Sequence, residues 1–159
     1  MRNLDIQNIK NEIIEIDPKR WWGDDFDIRF YLISKLSKIS NKKILDVGGG
    51  IGIILSNLNE NNYSVNLDIS FEDLIMSKNR NKKNIQNVCG SMTHLPFKEG
   101  MFDCVIAANI LEVGKENDIM AIKESNSKLP TVEKTIYEIK RVAREKGSVL
   151  FTTPVSYTH

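Results

Sequence analysis

Apolar and polar positions alternate along the chain with two different periods, and the changes of period divide it into elements. Within residues 4–16, Ile6, Ile9, Ile13 and Ile16 recur at helical spacing, and Pro18 ends the run. A second helix follows in WWGDDFDIRFYLISKLSKIS, with Asp24 or Asp25 as its cap and Phe26, Phe30, Ile33 and Leu36 along one face. KKILDVG is a short apolar run ended by glycine, which predicts a buried strand. IGIILSNLNENN predicts a helix with Ile54, Leu55 and Leu58 inward, and YSVNLD a second strand. SFEDLIMSKNRN predicts a helix that Ser70 caps, with Asp73 three residues on. IQNVCG and FDCVIAA predict the third and fourth strands, separated by the turn-rich SMTHLPFKEGM. EVGKENDIMAIKESNSKLP reads as a long polar surface loop. TVEKTIYEIKRVAREK predicts an amphipathic helix capped by Thr131, with Val132, Ile136, Ile139 and Val142 or Ala143 inward. Gly147 is expected to stop that helix, and SVLFTTP to form the fifth strand. Strands alternating with helices at these lengths predict an α/β fold with a doubly wound, mostly parallel sheet. The 159 residues are the size of one domain.

Charge and cysteine content narrow the function classes. Lys and Arg number 22 against 21 Asp and Glu, a net charge of +1, so no global field favours nucleic acid. KNRNKKN and KRVAREK read as solvated helix ends before they read as nucleic-acid contacts. The N-terminus is charged throughout and lacks the apolar core of a signal peptide. CVIAANIL is too short and too polar to span a bilayer. Cys89 and Cys104 fall within expected strands, as small buried hydrophobes, and give neither disulfide nor metal-ligand spacing. With His94 and His159 as its two histidines, the chain is expected to bind no metal and to work in the cytoplasm.

The candidate chemistry lies in KILDVGGGIG, which packs four glycines into five positions after an apolar run. A P-loop needs Lys and then Ser or Thr after its glycines, and IGIILS supplies no lysine. The dinucleotide pattern G-x-G-x-x-G, counted from Gly48 and Gly50, lands on Ile53 and is off by one. What remains is D-x-G-x-G-x-G, with Asp46 before Gly48, Gly50 and Gly52. An acidic residue at a strand end opposes a pyrophosphate and suits a cationic group. Gly49 and its neighbours would admit a ribose or amino-acid moiety close to the backbone. Asp68, twenty residues after Gly48, ends the second strand, where a carboxylate can accept from both ribose hydroxyls. A nucleoside ligand with a positive group and no phosphates fits these residues: S-adenosylmethionine.

ILDVGGGIG, VNLDIS, CGSMTHLPFKEGMFDCVIAANILE and IYEIKRVAREKGSVLFTTP, in that order, resemble the motifs of the class I S-adenosylmethionine-dependent methyltransferases. The resemblance implies a Rossmann-like sheet of strand order 3-2-1-4-5, with residues 42–159 as cofactor-binding core and 1–41 as a helical lid. It implies that Gly48 and Gly50 line the methionine part, with Gly49 and Gly52 in the same cofactor-binding turn, and that Asp46 helps hold its ammonium, directly or through water. Asp68 would bind the ribose, Ile69 would pack on adenine, and Asn109 and Ile110 would border the sulfonium and the acceptor. The family usually carries an acidic residue after the third-strand glycine; here Ser91 stands there, followed by Met92, whose backbone amide can read the adenine ring. Trp21 and Trp22 are either core packing or part of a lid over the sulfonium. The LPF…FD wording resembles the branch that modifies small molecules, tRNA or lipids, and a small-molecule or lipid acceptor is expected. Asn109 is followed by Ile110, Leu111 and Glu112, so the amide-methylating Asn-Pro-Pro-aromatic motif is not met; no catalytic side chain is expected beyond Glu112 as a weak candidate base. The family's sheet usually continues for two more strands after LFTTP. From that come two expectations: a homodimer through an exposed sheet edge, and an alternative function as a non-catalytic S-adenosylmethionine-binding module, a piece of a larger enzyme.

Overall fold

In the computed structural model, which describes residues 25–80, 85–108 and 131–152, the run Lys43–Val47 forms strand β1. Tyr63–Asp68 (β2), Ile85–Cys89 (β3), Phe102–Ala108 (β4) and Ala143–Thr152 (β5) complete one sheet in the order β3-β2-β1-β4-β5, every pairing parallel. The helices are Asp25–Leu36 (α1), Ile53–Ser56 (α2), Phe71–Arg80 (α3) and Thr131–Val142 (α4). This is the doubly wound class I methyltransferase fold expected from the sequence. The helix expected over 4–16, Trp21 and Trp22, and the stretch 109–130 with Asn109, Ile110 and Glu112 lie outside the described residues.

The strands read as apolar runs because both sheet faces are covered. On one face Leu32, Ile33 and Leu36 of α1 pack with Ile44, Ile51, Ile54, Leu55 and Ile106. On the other, Leu45, Val47, Val65, Leu67 and Val105 meet Ile139 and Val142 of α4. Ile54, Leu55 and Leu58 point inward as expected, yet α2 is a single turn. Ser56 Oγ and Asn57 Nδ2 both donate to Ile53 O, so side chains take the carbonyl that the next helical turn would use. Ser70 caps α3 as expected, its Oγ accepting from Asp73 N at 3.2 Å.

Three local expectations are corrected. Ile136 is exposed, and Thr135 takes the buried stripe with Ile139 and Val142, at offsets of four and three residues. Gly147 does not stop α4, which ends at Val142; it lies inside β5, where the ladder to β4 shifts register. A Cβ there would stand 2.9 Å from Arg144 O, so the irregularity needs the glycine. Cys104 is buried but Cys89 is exposed, because it ends β3 at the edge of the sheet. Among the described residues no helix is long and apolar enough to cross a membrane, and no cluster of metal-ligating side chains occurs.

Candidate functional site

The strand order reverses at β1, and the loop from β1 to α2 leaves the sheet there, where ligands of doubly wound folds bind. Residues 48–52 form this turn. Gly48, Gly50 and Gly52 have φ of 69°, 53° and 73°, a region that side chains disfavour. Gly48 N and Gly49 N both donate to Leu67 O, which ties the turn to the end of β2. Gly49 has no such φ but faces a close approach: a Cβ would lie 2.1 Å from Asn66 Oδ1 and 2.8 Å from Asp46 Oδ2.

Asp68 ends β2 beside this turn. Its Oδ2 accepts from Gly50 N at 2.8 Å and its Oδ1 from Ser70 N at 2.9 Å. Two backbone donors fix the half-buried carboxylate in place, and each oxygen keeps a lone pair for a further donor. Asp46, on the sheet beneath, is 1% exposed, and neither of its carboxylate oxygens has a hydrogen-bond partner. Burial pushes its pKa up to about 7; the charge of Arg29 on α1 opposes the shift and that of Asp68 adds to it. Asp73 of α3 reaches the same turn, its Oδ2 standing 3.5 Å from where a Cβ of Gly50 would be.

Gly90 N donates to Asp68 O, so the loop after β3 comes up beside the end of β2. Ile69 is 74% exposed at this rim. Met92 is partly buried and packs against the core. Ser91 Oγ accepts from Thr93 N and lies 2.9 Å from Thr93 Oγ1. Lys134 Nζ, 2.6 Å from His94 Nε2, can only donate, which leaves His94 Nδ1 to donate to Thr93 Oγ1; either hydroxyl of the Ser91–Thr93 pair can donate to the other. Asp46, the glycine turn, Asp68, Ile69 and Ser91 thus gather at neighbouring strand ends. Asn66, Asp73 and Arg29 join them without having been expected; each is set there by register or by helix packing, with no motif to mark it.

The LPF…FD wording holds structure together. Arg141 of α4 donates to Phe97 O at 2.8 Å and Leu95 O at 2.9 Å while pairing with Glu138, which itself accepts from Leu95 N. The Arg141 hydrogen bond holds Glu138 below the usual carboxylate range. Phe97 meets Phe102 edge to face with centroids 5.0 Å apart. Asp103 accepts from Lys43 N and pairs with Arg144, and these bonds hold its pKa below the usual range. A cavity of about 460 Å³ lined by Lys42, Asp103, Arg144 and Lys146 lies at this joint, at the opposite ends of β1 and β4 from the glycine turn.

The site offers carboxylate acceptors, exposed apolar surface and bare backbone, which suit a ligand carrying hydroxyls and a positive group. A family model described as "Methyltransferase domain" matches residues 45–151. An uncharacterized protein of Methanocaldococcus jannaschii is 32% identical over 118 residues, which cover 72% of this chain and 43% of that protein. A complex between the Haloferax volcanii Trm112 methyltransferase activator and a protein described as a methyltransferase superposes with a TM-score of 0.66 at 16% identity, over 93% of this chain and 56% of that one. A protein of Methanococcus maripaludis described as an S-adenosyl-L-methionine-dependent methyltransferase gives 0.58 at 18% identity, over 96% and 65%. At these identities the structural likeness shows the fold alone. The chain spans less than half the length of the M. jannaschii relative and about half that of the YcgJ protein of Bacillus subtilis, at 43% and 48%. Sheet order, glycine turn and a family match over most of its length agree: the chain belongs to the methyltransferase domain family and has the fold of the class I S-adenosylmethionine-dependent enzymes.

Proposed function

We propose that the chain holds S-adenosylmethionine at the glycine turn and passes its methyl group to a small-molecule or lipid acceptor, leaving S-adenosylhomocysteine. The observation that carries this is Asp68, whose carboxylate is locked by Gly50 N and Ser70 N with a lone pair to spare on each oxygen. The unpartnered oxygens of Asp46 fit the same group, since buried acceptors without donors call for a donor or a cation. Asp68 would take the ribose hydroxyls, and Asp46 the ammonium. The bare backbone of Gly48, Gly49, Gly50 and Gly52 would lie along the methionine part, Ile69 against adenine, and Ser91 and the Met92 amide at the adenine edge. Asn109 and Ile110 would border the acceptor, with Trp21 and Trp22 as a lid. Bound there, the cofactor supplies an electrophilic methyl group on a sulfonium. The chain's own part is alignment and exclusion of water, which can lower such a barrier by roughly 7–11 kcal/mol without an acid or base. The net charge of +1 gives no attraction for a polyanionic acceptor, which supports a small-molecule or lipid one.

A ligand panel tests this. S-adenosylmethionine and S-adenosylhomocysteine are expected to raise the melting temperature, and NAD to leave it unchanged. Stabilisation by NAD alone would refute the assignment. Release of S-adenosylhomocysteine in the presence of an acceptor library separates an enzyme from a binding module.

A further inference from the structure

Three oxygens at the base of the glycine turn are buried without a hydrogen-bond partner: both carboxylate oxygens of Asp46, and Asn66 Oδ1. Asp46 and Asn66 are direct partners in the β1–β2 ladder and flank one point, the missing Cβ of Gly49. The amide of Asn66 cannot be turned over. Its Nδ2 donates to Gly50 O at 2.9 Å, a backbone carbonyl that a reversed amide would set against an oxygen, and lies 3.1 Å from Asn87 Oδ1. Asn66 Oδ1 therefore stays on the Asp46 side. Buried oxygens that flank one point and have no donor are reconciled by a proton on the carboxyl group.

The geometry points to Asn66 as a positioning residue of the cofactor site. In the ligand-free chain its Oδ1 is the acceptor facing a protonated Asp46 carboxyl, and a cationic ligand group drives that proton to solvent and leaves Asp46 as a carboxylate. This rests on the cofactor site proposed above. The balance is simple: the carboxyl O–H breaks, the proton passes to buffer, and no electron changes hands. Around Asp46 stand Arg29 from α1, Asp68 from β2, Cys104 from β4 and, across the turn, Asp73 from α3. Arg29 favours the carboxylate and Asp68 the neutral acid. Burial, then the charge of Asp46, pushes the Cys104 thiol up to about 11, so it stays neutral. Burial of Asp46 itself outweighs Arg29 and sets the titration near 7.

The proton can be read in two ways. Carbon-13 NMR of the ligand-free chain should show one side-chain carboxyl titrating at about pH 7, lost in Asp46→Asn. In Asn66→Asp, which keeps an oxygen in place and adds a like charge, the midpoint should move up by at least about one unit. Calorimetry with S-adenosylhomocysteine in buffers of different ionisation enthalpy should find about half a proton released at pH 7 and close to one at pH 6. Asp46→Asn should bind with no proton release at either pH. If every carboxyl titrates below about pH 5, Asp46 is already ionised against Arg29 and the inference is overturned. An unmoved midpoint in Asn66→Asp removes the role given to Asn66. Absence of S-adenosylhomocysteine binding would count against the cofactor site, while the NMR titration would still decide the proton.

Discussion

Replacing Gly49 by alanine separates space from backbone conformation in the glycine turn. The new Cβ would meet Asn66 Oδ1 at 2.1 Å and Asp46 Oδ2 at 2.8 Å, both shorter than any van der Waals contact. Neither neighbour can swing into solvent, since Asn66 is 0% and Asp46 1% exposed. Moving Asn66 breaks one of the bonds its Nδ2 shares among Gly50 O, Ser77 Oγ and Asn87 Oδ1. Overpacking costs about 1–3 kcal/mol and each broken neutral bond about 1 kcal/mol, so a loss of roughly 2–4 kcal/mol is expected. At this chain length that is a fall in melting temperature of roughly 5–15 °C. Gly50→Ala is the control. Its φ of 53° strains alanine, but the nearest atom to its Cβ is 3.5 Å away, so only the conformational cost of about 1–2 kcal/mol applies. Urea titration of both variants measures the difference. Gly49→Ala within about 0.5 kcal/mol of wild type, or less damaging than Gly50→Ala, would refute the crowding of Asp46 and Asn66 under the turn.

Arg141→Ala should cost about 1–3 kcal/mol in urea titration, because Leu95 O, Phe97 O and Glu138 lose their donor together; Arg141→Lys, without the planar fork, should recover little of it. Stability should also depend on pH in two windows. Asp46, raised from 3.8 to about 7, contributes stability that is full below pH 4 and lost as pH rises to about 7, at most about 4 kcal/mol, and Asp46→Asn should remove this slope. Asp103 and Glu138, held low, contribute stability present above the unfolded carboxylate range and lost as pH falls through their folded values. If β5 offers an edge to a second copy, light scattering should find a concentration-dependent dimer that Val149→Lys on this strand dissociates; a monomer at every concentration would dismiss that pairing.

Strands were legible because buried parallel strands read as apolar runs between turn residues, as in KILDV and FDCVIAA, while their order in the sheet came from the family resemblance. Asp46 and Asp68 stood out as candidates because each lies in the last two positions of a strand, beside glycine or a helix cap. The misses are tertiary. Ile136 looked inward by composition, while the phase of α4 on the sheet buried Thr135. NLNENN kept its apolar spacing, but side chains competing for Ile53 O ended α2 after one turn. Asn66 drew no notice inside YSVNLD; only the register sets it opposite Asp46, under Gly49. Asp73 passed for a helix-start residue, since nothing local tells that α3 brings it to Gly50.

Titration calorimetry of S-adenosylhomocysteine into the wild-type chain and Asp68→Ala tests the central claim most directly. Binding by the wild type, weakened at least roughly tenfold when the anchored carboxylate is removed, is the expected result. Equal affinity in the two proteins, or no heat with S-adenosylhomocysteine beside saturable binding of NAD, would contradict it.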